Sequence, residues 1–422
     1  MSDDLLSADV CGALDRVGRA GIVAGVLSLN SERTVGAVVE AAAAGLRLAA
    51  PDGAAVVVVA DGGSRDGTLE AARRADAGGV PVVLAARPAR AVGHLSGDEG
   101  LPGKGAALRV VFAAAERVGA GACLIVDADV AAVAPEWVRR LLEPVLRGGL
   151  DLVAPVYARH MYDGMLTSFL VYPLTRALYG RRLRQPVGGH FGCSRTLARR
   201  LLGAADWESR AAQGRRLDLW VATAALAEGL AVGQAHLGPG RRGARDSGAA
   251  LGAAFAEVVG TAFDLMEEYR TAWWPVVETA DVPAFGSASV GVEPVSVNVD
   301  RMAATFRQGL ADLMPVWRKM LAADTCEELA ALEAVPEEAM RFPAPLWARV
   351  VYDGAVACHQ RRLARGHLLR ALIPLYLGRA AAFVADPASG DAEAAEAEVE
   401  AQCGAFEALK PYLLDRWDAR RT

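Results

Sequence analysis

Four apolar runs near the start of the chain constrain the fold more than any other feature. They are GIVAGVLSL (21–29), AAVVVVA (54–60), VPVVLAA (80–86) and ACLIV (122–126). Each is short, rich in small and β-branched residues, and separated from the next by a helix-patterned or polar stretch. TVGAVVEAAAAGLRLAA (34–50) has helical spacing and stops at Pro51-Asp52-Gly53; a further helix is expected over about 105–118. Strands apolar on both faces need helices on both faces, which means a mostly parallel α/β sheet. Ligands of such sheets gather at the carboxyl ends of the strands. Asp61 and Asp127 both sit just past such ends.

From 135 to about 240 the alternation continues less regularly, with RQPVGGHFGCS as a glycine-rich turn and LAVGQAHLG as a strand. A Pro/Gly/Ser/Val linker follows at 275–299, and the remainder reads as helices. The 422 residues are too many for one core, and 53% of them are hydrophobic, enough for two. A net charge of −5 with no basic cluster gives no nucleic-acid footprint. Six scattered cysteines without a CxxC pair point to free thiols in a reducing compartment. The acidic start MSDDLLSADV is not a signal peptide, and no run reaches the ~18 uninterrupted apolar residues of a membrane span. The expectation is a soluble cytoplasmic protein.

Three motifs carry chemistry. DGGSRDGT (61–68) follows the second strand. Its glycines and serine offer N–H donors near a helix start, and Asp61 is placed to accept from a base or ribose. A plain strand-to-helix turn would look the same. The G-x-G-x-x-G spacing of a dinucleotide site is absent. LPGKGAAL (101–108) puts Lys104 between Gly103 and Gly105 just before a helix, a setting that suits a diphosphate or carboxylate, or simply a surface lysine in a turn. IVDADV (125–130) ends a buried strand with Asp127 and Asp129, which together suit a hard divalent cation with positions left for substrate phosphates. A phosphatase of the haloacid-dehalogenase type also has D-x-D after a strand, but in the first strand and with a different continuation.

The ordered set of Glu32, DGGSRDGT, GKG and DAD resembles the nucleotide-sugar domain of GT-A glycosyltransferases. The run 154–192, with LDLWVATAALAEG, LWARVVYDGAVA and LIPLYLGRAAAFV, is similar to the mannosylglycerate and glucosylglycerate synthases. The resemblance implies a GT-A domain over 18–285 and a helical C-terminal domain over 296–422. It implies a retaining transfer of glucose or mannose from a GDP- or UDP-sugar to D-glycerate or a similar small hydroxy acid, with Mg²⁺ or Mn²⁺. By the same resemblance Glu32, Asp61 and Asp127 hold the nucleotide, Lys104 lies near the diphosphate, and Asp127 and Asp129 bind metal. Gly188 and Gly189 form the turn under the sugar, and Asp218 faces the sugar or the incoming hydroxyl. Arg159, Asp163, Gly164 and Thr167 receive the acceptor, with the guanidinium pairing its carboxylate. Arg159 as a surface charge and Asp163 and Asp218 as helix caps stay open beside these roles.

The sequence departs from that family at several of these places. A metal-binding His is expected after the last strand, where GPGRRGARDSG instead puts Arg242, which cannot ligate a cation but can neutralise a diphosphate together with Arg241. His236 is the alternative ligand in a shifted register, against a plain strand-end histidine. Gly-Gly-Asp or Gly-Gly-Glu is Gly-Gly-His here, at His190. Two readings follow: an active transferase, or a divergent, weakly active or inactive nucleotide-sugar binder with a regulatory or assembly role. The helical tail has enough apolar surface for a homodimer.

Overall fold

A computed structural model describes residues 5–51, 53–86, 104–130, 133–204, 207, 214–239, 248–287, 295–335 and 340–419. The chain divides into two compact units. One comprises 1–158, 185–245 and 282–290; the other comprises 159–184, 246–281 and 291–422.

The first unit is built on one eight-stranded sheet in the order β3-β2-β1-β4-β6-β5-β7-β8. The strands are β1 (Ile22–Ser28), β2 (Ala55–Asp61), β3 (Val82–Ala86), β4 (Ala122–Asp127), β5 (Leu152–Ala158), β6 (Phe191–Ser194), β7 (Val232–Pro239) and β8 (Ala284–Phe285). All run parallel except β6, which is antiparallel to both β4 and β5. The four expected strands are present, and β1 is buried along its whole length. Their apolar runs pack on two faces. Ala24, Val26, Leu124 and Val126 join a core with the Val35–Ala49 and Pro135–Gly148 helices. The opposite face of β1 is covered by the Lys104–Val118 helix, where a Cβ on Gly25 would lie 2.4 Å from Val111.

The strand order reverses direction between β1 and β4, so the crevice at their carboxyl ends is the topological switch point where such sheets take ligands. The register puts Leu27 opposite Asp127 and Ser28 opposite Asp61. The glycine-rich turn read from RQPVGGHFGCS is only half turn, since Phe191–Ser194 forms β6. Its Gly192 explains why: a Cβ there would stand 2.1 Å from the Leu141 carbonyl oxygen, so the strand lies directly on the neighbouring helix.

The second unit is helical. Its segments do not follow the linear 18–285 and 296–422 division expected from the linker; 159–184 and 246–281 belong with the C-terminal helices. The cause is apolar burial. Met165, Phe169 and Tyr172 share a core with Ala380, Phe383, Val399 and Cys403. The buried Arg176 guanidinium binds Glu400 at 2.6 Å and Glu407 at 2.8 Å, and Trp347 Nε1 donates to the Phe169 carbonyl at 2.7 Å. The stretch MLTSFLVYPLTRALYG contains a π-helical turn, Thr167–Val171, running into the Tyr172–Tyr179 helix. Among the described residues one helix, Arg365–Val384, is long and apolar enough to cross a membrane, with 72% of that window buried inside the protein.

Candidate functional site

The site is assembled at the end of β4. Asp127 is the last residue of that strand, and Lys104 is the first residue of the Lys104–Val118 helix. Lys104 Nζ donates to Asp127 Oδ2 at 2.6 Å and lies 3.9 Å from Asp218 Oδ1. Asp218 comes from the Gly214–Ala227 helix and is buried. Burial alone would pull the ammonium down. Asp127, Asp218 and the hydrogen bond to Asp127, with Asp129 further off, outweigh it and hold Lys104 above the ordinary lysine range.

The antiparallel pairing of Ile125 with Phe191 carries Gly189 to the level of Asp127. Gly189 has φ +79, and a Cβ there would stand 3.0 Å from Asp127 Oδ2 and 3.9 Å from Asp218 Oδ2. A side chain would be strained and would fill the approach to both carboxylates. At Gly188 a Cβ would lie 2.3 Å from Pro155 Cγ, so this backbone is pressed onto β5. Gly188, Gly189, Asp218, Pro155, His190 and Gln185 line a cleft of only about 10 Å³, room for about one water.

Asp127 Oδ1 is buried and has no hydrogen-bond partner among the described residues. Such an atom is costly unless a donor or cation meets it. Asp129 sits in a tight turn with Ala128 and is exposed. The turn is pinned by Ala128, whose N–H donates to the Leu27 carbonyl at 2.8 Å and whose carbonyl accepts from Thr34 Oγ1 at 2.5 Å. Among the described residues no cluster of three or more His, Cys, Asp or Glu side chains could hold a metal alone. Asp127 and Asp129 therefore fit a hard cation that takes its remaining oxygens from substrate and water, as Mg²⁺ does, and do not fit a closed protein cage.

Asp61 is buried and serves its own loop. It accepts from Ser28 Oγ at 3.0 Å, Gly63 N–H at 3.0 Å, Ser64 N–H at 2.8 Å and Ser64 Oγ at 2.5 Å. Glu32 Oε2 accepts from Gly67 N–H at 3.2 Å. Asn30, at φ 49, ties the loops after β1 and β2 through Ser64 Oγ and Arg65 N–H. Both acids thus stand in a stitched rim beside the switch point.

His236 is not brought to Asp127. It lies opposite Val156 on β7, three strands from β4, and that separation is about 14 Å at ~4.8 Å per strand. Its carbonyl accepts from Arg140 at 2.6 Å, and burial followed by the Arg140 charge pulls the imidazole below the ordinary value. His190 is nearer, beside Gly189, with its Nδ1 2.5 Å from the Tyr157 hydroxyl. Nothing in the sequence signalled that pairing, which spans 33 residues. Gln185 fixes the same Tyr157 by two hydrogen bonds to its backbone, at 3.2 and 2.9 Å.

Arg159, Asp163, Gly164 and Thr167 lie in the helical unit. Gly164 has φ +75 and a Cβ there would stand 3.1 Å from Arg159 Nη1, so the glycine makes room for the guanidinium. Asp163 N–H donates to the His160 carbonyl and Thr167 N–H to the Gly164 carbonyl, each at 2.8 Å. Gly103, Arg241 and Arg242 fall outside the described residues.

No protein-family model matches the chain, and no curated protein does. Among solved structures it is similar to glucosyl-3-phosphoglycerate synthase from Mycobacterium tuberculosis in complex with Mn²⁺, UDP and glucosyl-3-phosphoglycerate, at 24% identity over 60% of this chain and 83% of that one, with a TM-score of 0.43. The same synthase with Mg²⁺ and UDP aligns at 24% identity over 62% and 83% of the two chains, TM-score 0.42. A structure described only as a mycobacterial protein aligns at 26% identity over 61% and 78%, TM-score 0.43.

Proposed function

We propose that the protein is a retaining GT-A-type glycosyltransferase that moves a hexose from a nucleotide-diphosphate sugar to a small hydroxy acid of the glyceric type. The observation that carries this reading is the meeting of Lys104, Asp127, Asp218 and the bare Gly189 backbone at the switch point of a parallel sheet. That arrangement combines anionic and cationic groups against a surface with no side chain, which is what a metal-bound diphosphate with an attached sugar requires.

Asp127 and Asp129 would hold a divalent cation through their carboxylates; when bound, that cation supplies charge neutralisation of the diphosphate. Lys104 adds a second positive charge for the leaving diphosphate, with Arg241 and Arg242 in the same role. Gly188 and Gly189 let the sugar lie against the backbone. Asp218 faces the sugar or the incoming hydroxyl; Arg159, with Asp163, Gly164 and Thr167, is the carboxylate-binding candidate of the helical unit. The leaving diphosphate takes the acceptor proton on the same face, so no protein nucleophile is needed.

The second reading is a nucleotide-sugar binder with little turnover. A product assay separates them. The protein is incubated with UDP- or GDP-glucose or -mannose, Mn²⁺, and glycerate, phosphoglycerate or lactate. A glycosylated acid supports the transferase. Nucleotide binding without product in every combination leaves the binder and overturns the transferase.

A further inference from the structure

Lys104 occupies an unusual position for a residue whose work is to meet an anionic ligand. Its Nζ is 2.6 Å from Asp127 Oδ2 and 3.9 Å from Asp218 Oδ1, and its side chain is 12% exposed. The ammonium therefore already has its counter-charges before any nucleotide arrives. It sits on the carboxylate that also offers the buried Oδ1 without a partner among the described residues. Gly189 backs the same Asp127 Oδ2 closely enough that a Cβ would be 3.0 Å away, so the lysine and the turn together hold the carboxylate in place. A divalent cation on Oδ1 would share one carboxylate group with the ammonium, and like charges that close repel strongly in a half-buried site.

We propose that Lys104 is the resident counter-ion of this site: it keeps Asp127 and Asp218 together in the nucleotide-free protein, disfavours a metal ion there on its own, and is released to the diphosphate, so that metal and nucleotide bind as a coupled pair. The inference rests on the nucleotide-sugar reading above. The diphosphate is what makes the coupling favourable, since it brings oxygens for the cation and a new partner for the ammonium. Linkage makes the effect reciprocal: the factor by which nucleotide tightens metal equals the factor by which metal tightens nucleotide. A lysine serving only as a structural tie would give a different result, because its removal would loosen Asp127 and weaken metal binding.

The test is the affinity for Mn²⁺, read from the spectrum of free Mn²⁺ by electron paramagnetic resonance. Wild type, K104M and K104Q are titrated without nucleotide and with saturating UDP or GDP. Melting curves check each fold; K104Q keeps a hydrogen-bond donor for Asp127 should K104M not fold. The expected result is Mn²⁺ binding without nucleotide at least tenfold tighter in the lysine variants, and a smaller gain on adding nucleotide than in wild type. Unchanged or weaker Mn²⁺ binding in a folded lysine variant overturns the counter-ion role. Absence of any nucleotide effect on wild-type Mn²⁺ binding instead overturns the nucleotide-sugar reading, and the nucleotide-free titration still decides the role of the lysine.

Discussion

Asp127 and Asp129 end an apolar strand one residue apart, and Lys104 supplies the neutralising charge at one of them. The sequence shows all three residues at a strand end or a helix start. It could not pair them, because Lys104 and Asp127 are 23 residues apart and their contact is a product of the sheet. Asp61 stands out in the sequence as an acid after a strand, and three of its four hydrogen bonds are local, to Gly63 and Ser64; the fourth, from Ser28, depends on the β1–β2 register, which the sequence does not display. Gly189 gives the sharpest residue-scale test. Ala there carries φ +79 and puts a methyl group against Asp127. Gly229 is the control, with φ +69 and nothing within 4 Å of its Cβ position. G189A and G229A should each lose about 1 kcal/mol in urea denaturation from the backbone conformation alone. Only G189A should also lose nucleotide affinity, by about tenfold or more, an effect of about 1.4 kcal/mol in calorimetry.

Elements with a strong period were readable; those set by tertiary contact were not. β1, β2 and β4 announce themselves as apolar runs because both their faces are covered. β6 does not, since FGCS is four residues long and begins one residue after a glycine pair. It is a strand because Gly192 lets it lie on Leu141 and because Cys123 and Cys193 pair across it. G192A tests this: its methyl would stand 2.1 Å from a backbone oxygen, which no side-chain rotation relieves. The expected cost is about 1–3 kcal/mol of overpacking in urea denaturation, with nucleotide affinity falling too, because β6 carries Gly189 to Asp127. A neutral G192A would show that β6 does not set the site.

At the scale of the whole molecule, the sequence marked a change from α/β to helical composition near 275–299, and the structure places the unit boundary elsewhere. Composition follows the order of the chain, whereas Met165, Phe169, Tyr172 and Arg176 find their partners more than 200 residues later, as with Arg176 and Glu400 at a separation of 224. Buried charge joins the segments of that helical unit as well: Lys410 Nζ donates to the carbonyls of Trp273 at 2.8 Å and Val276 at 2.6 Å. In the other unit, Asp127 is proposed to anchor a metal-bound nucleotide diphosphate. Calorimetry of UDP and GDP binding, with and without Mn²⁺, to wild type and D127N tests it most directly. Mn²⁺ should tighten binding of one nucleotide to wild type at least tenfold, and D127N should lose this gain. Equal affinities with and without Mn²⁺, or a D127N protein that keeps the full gain, would contradict it.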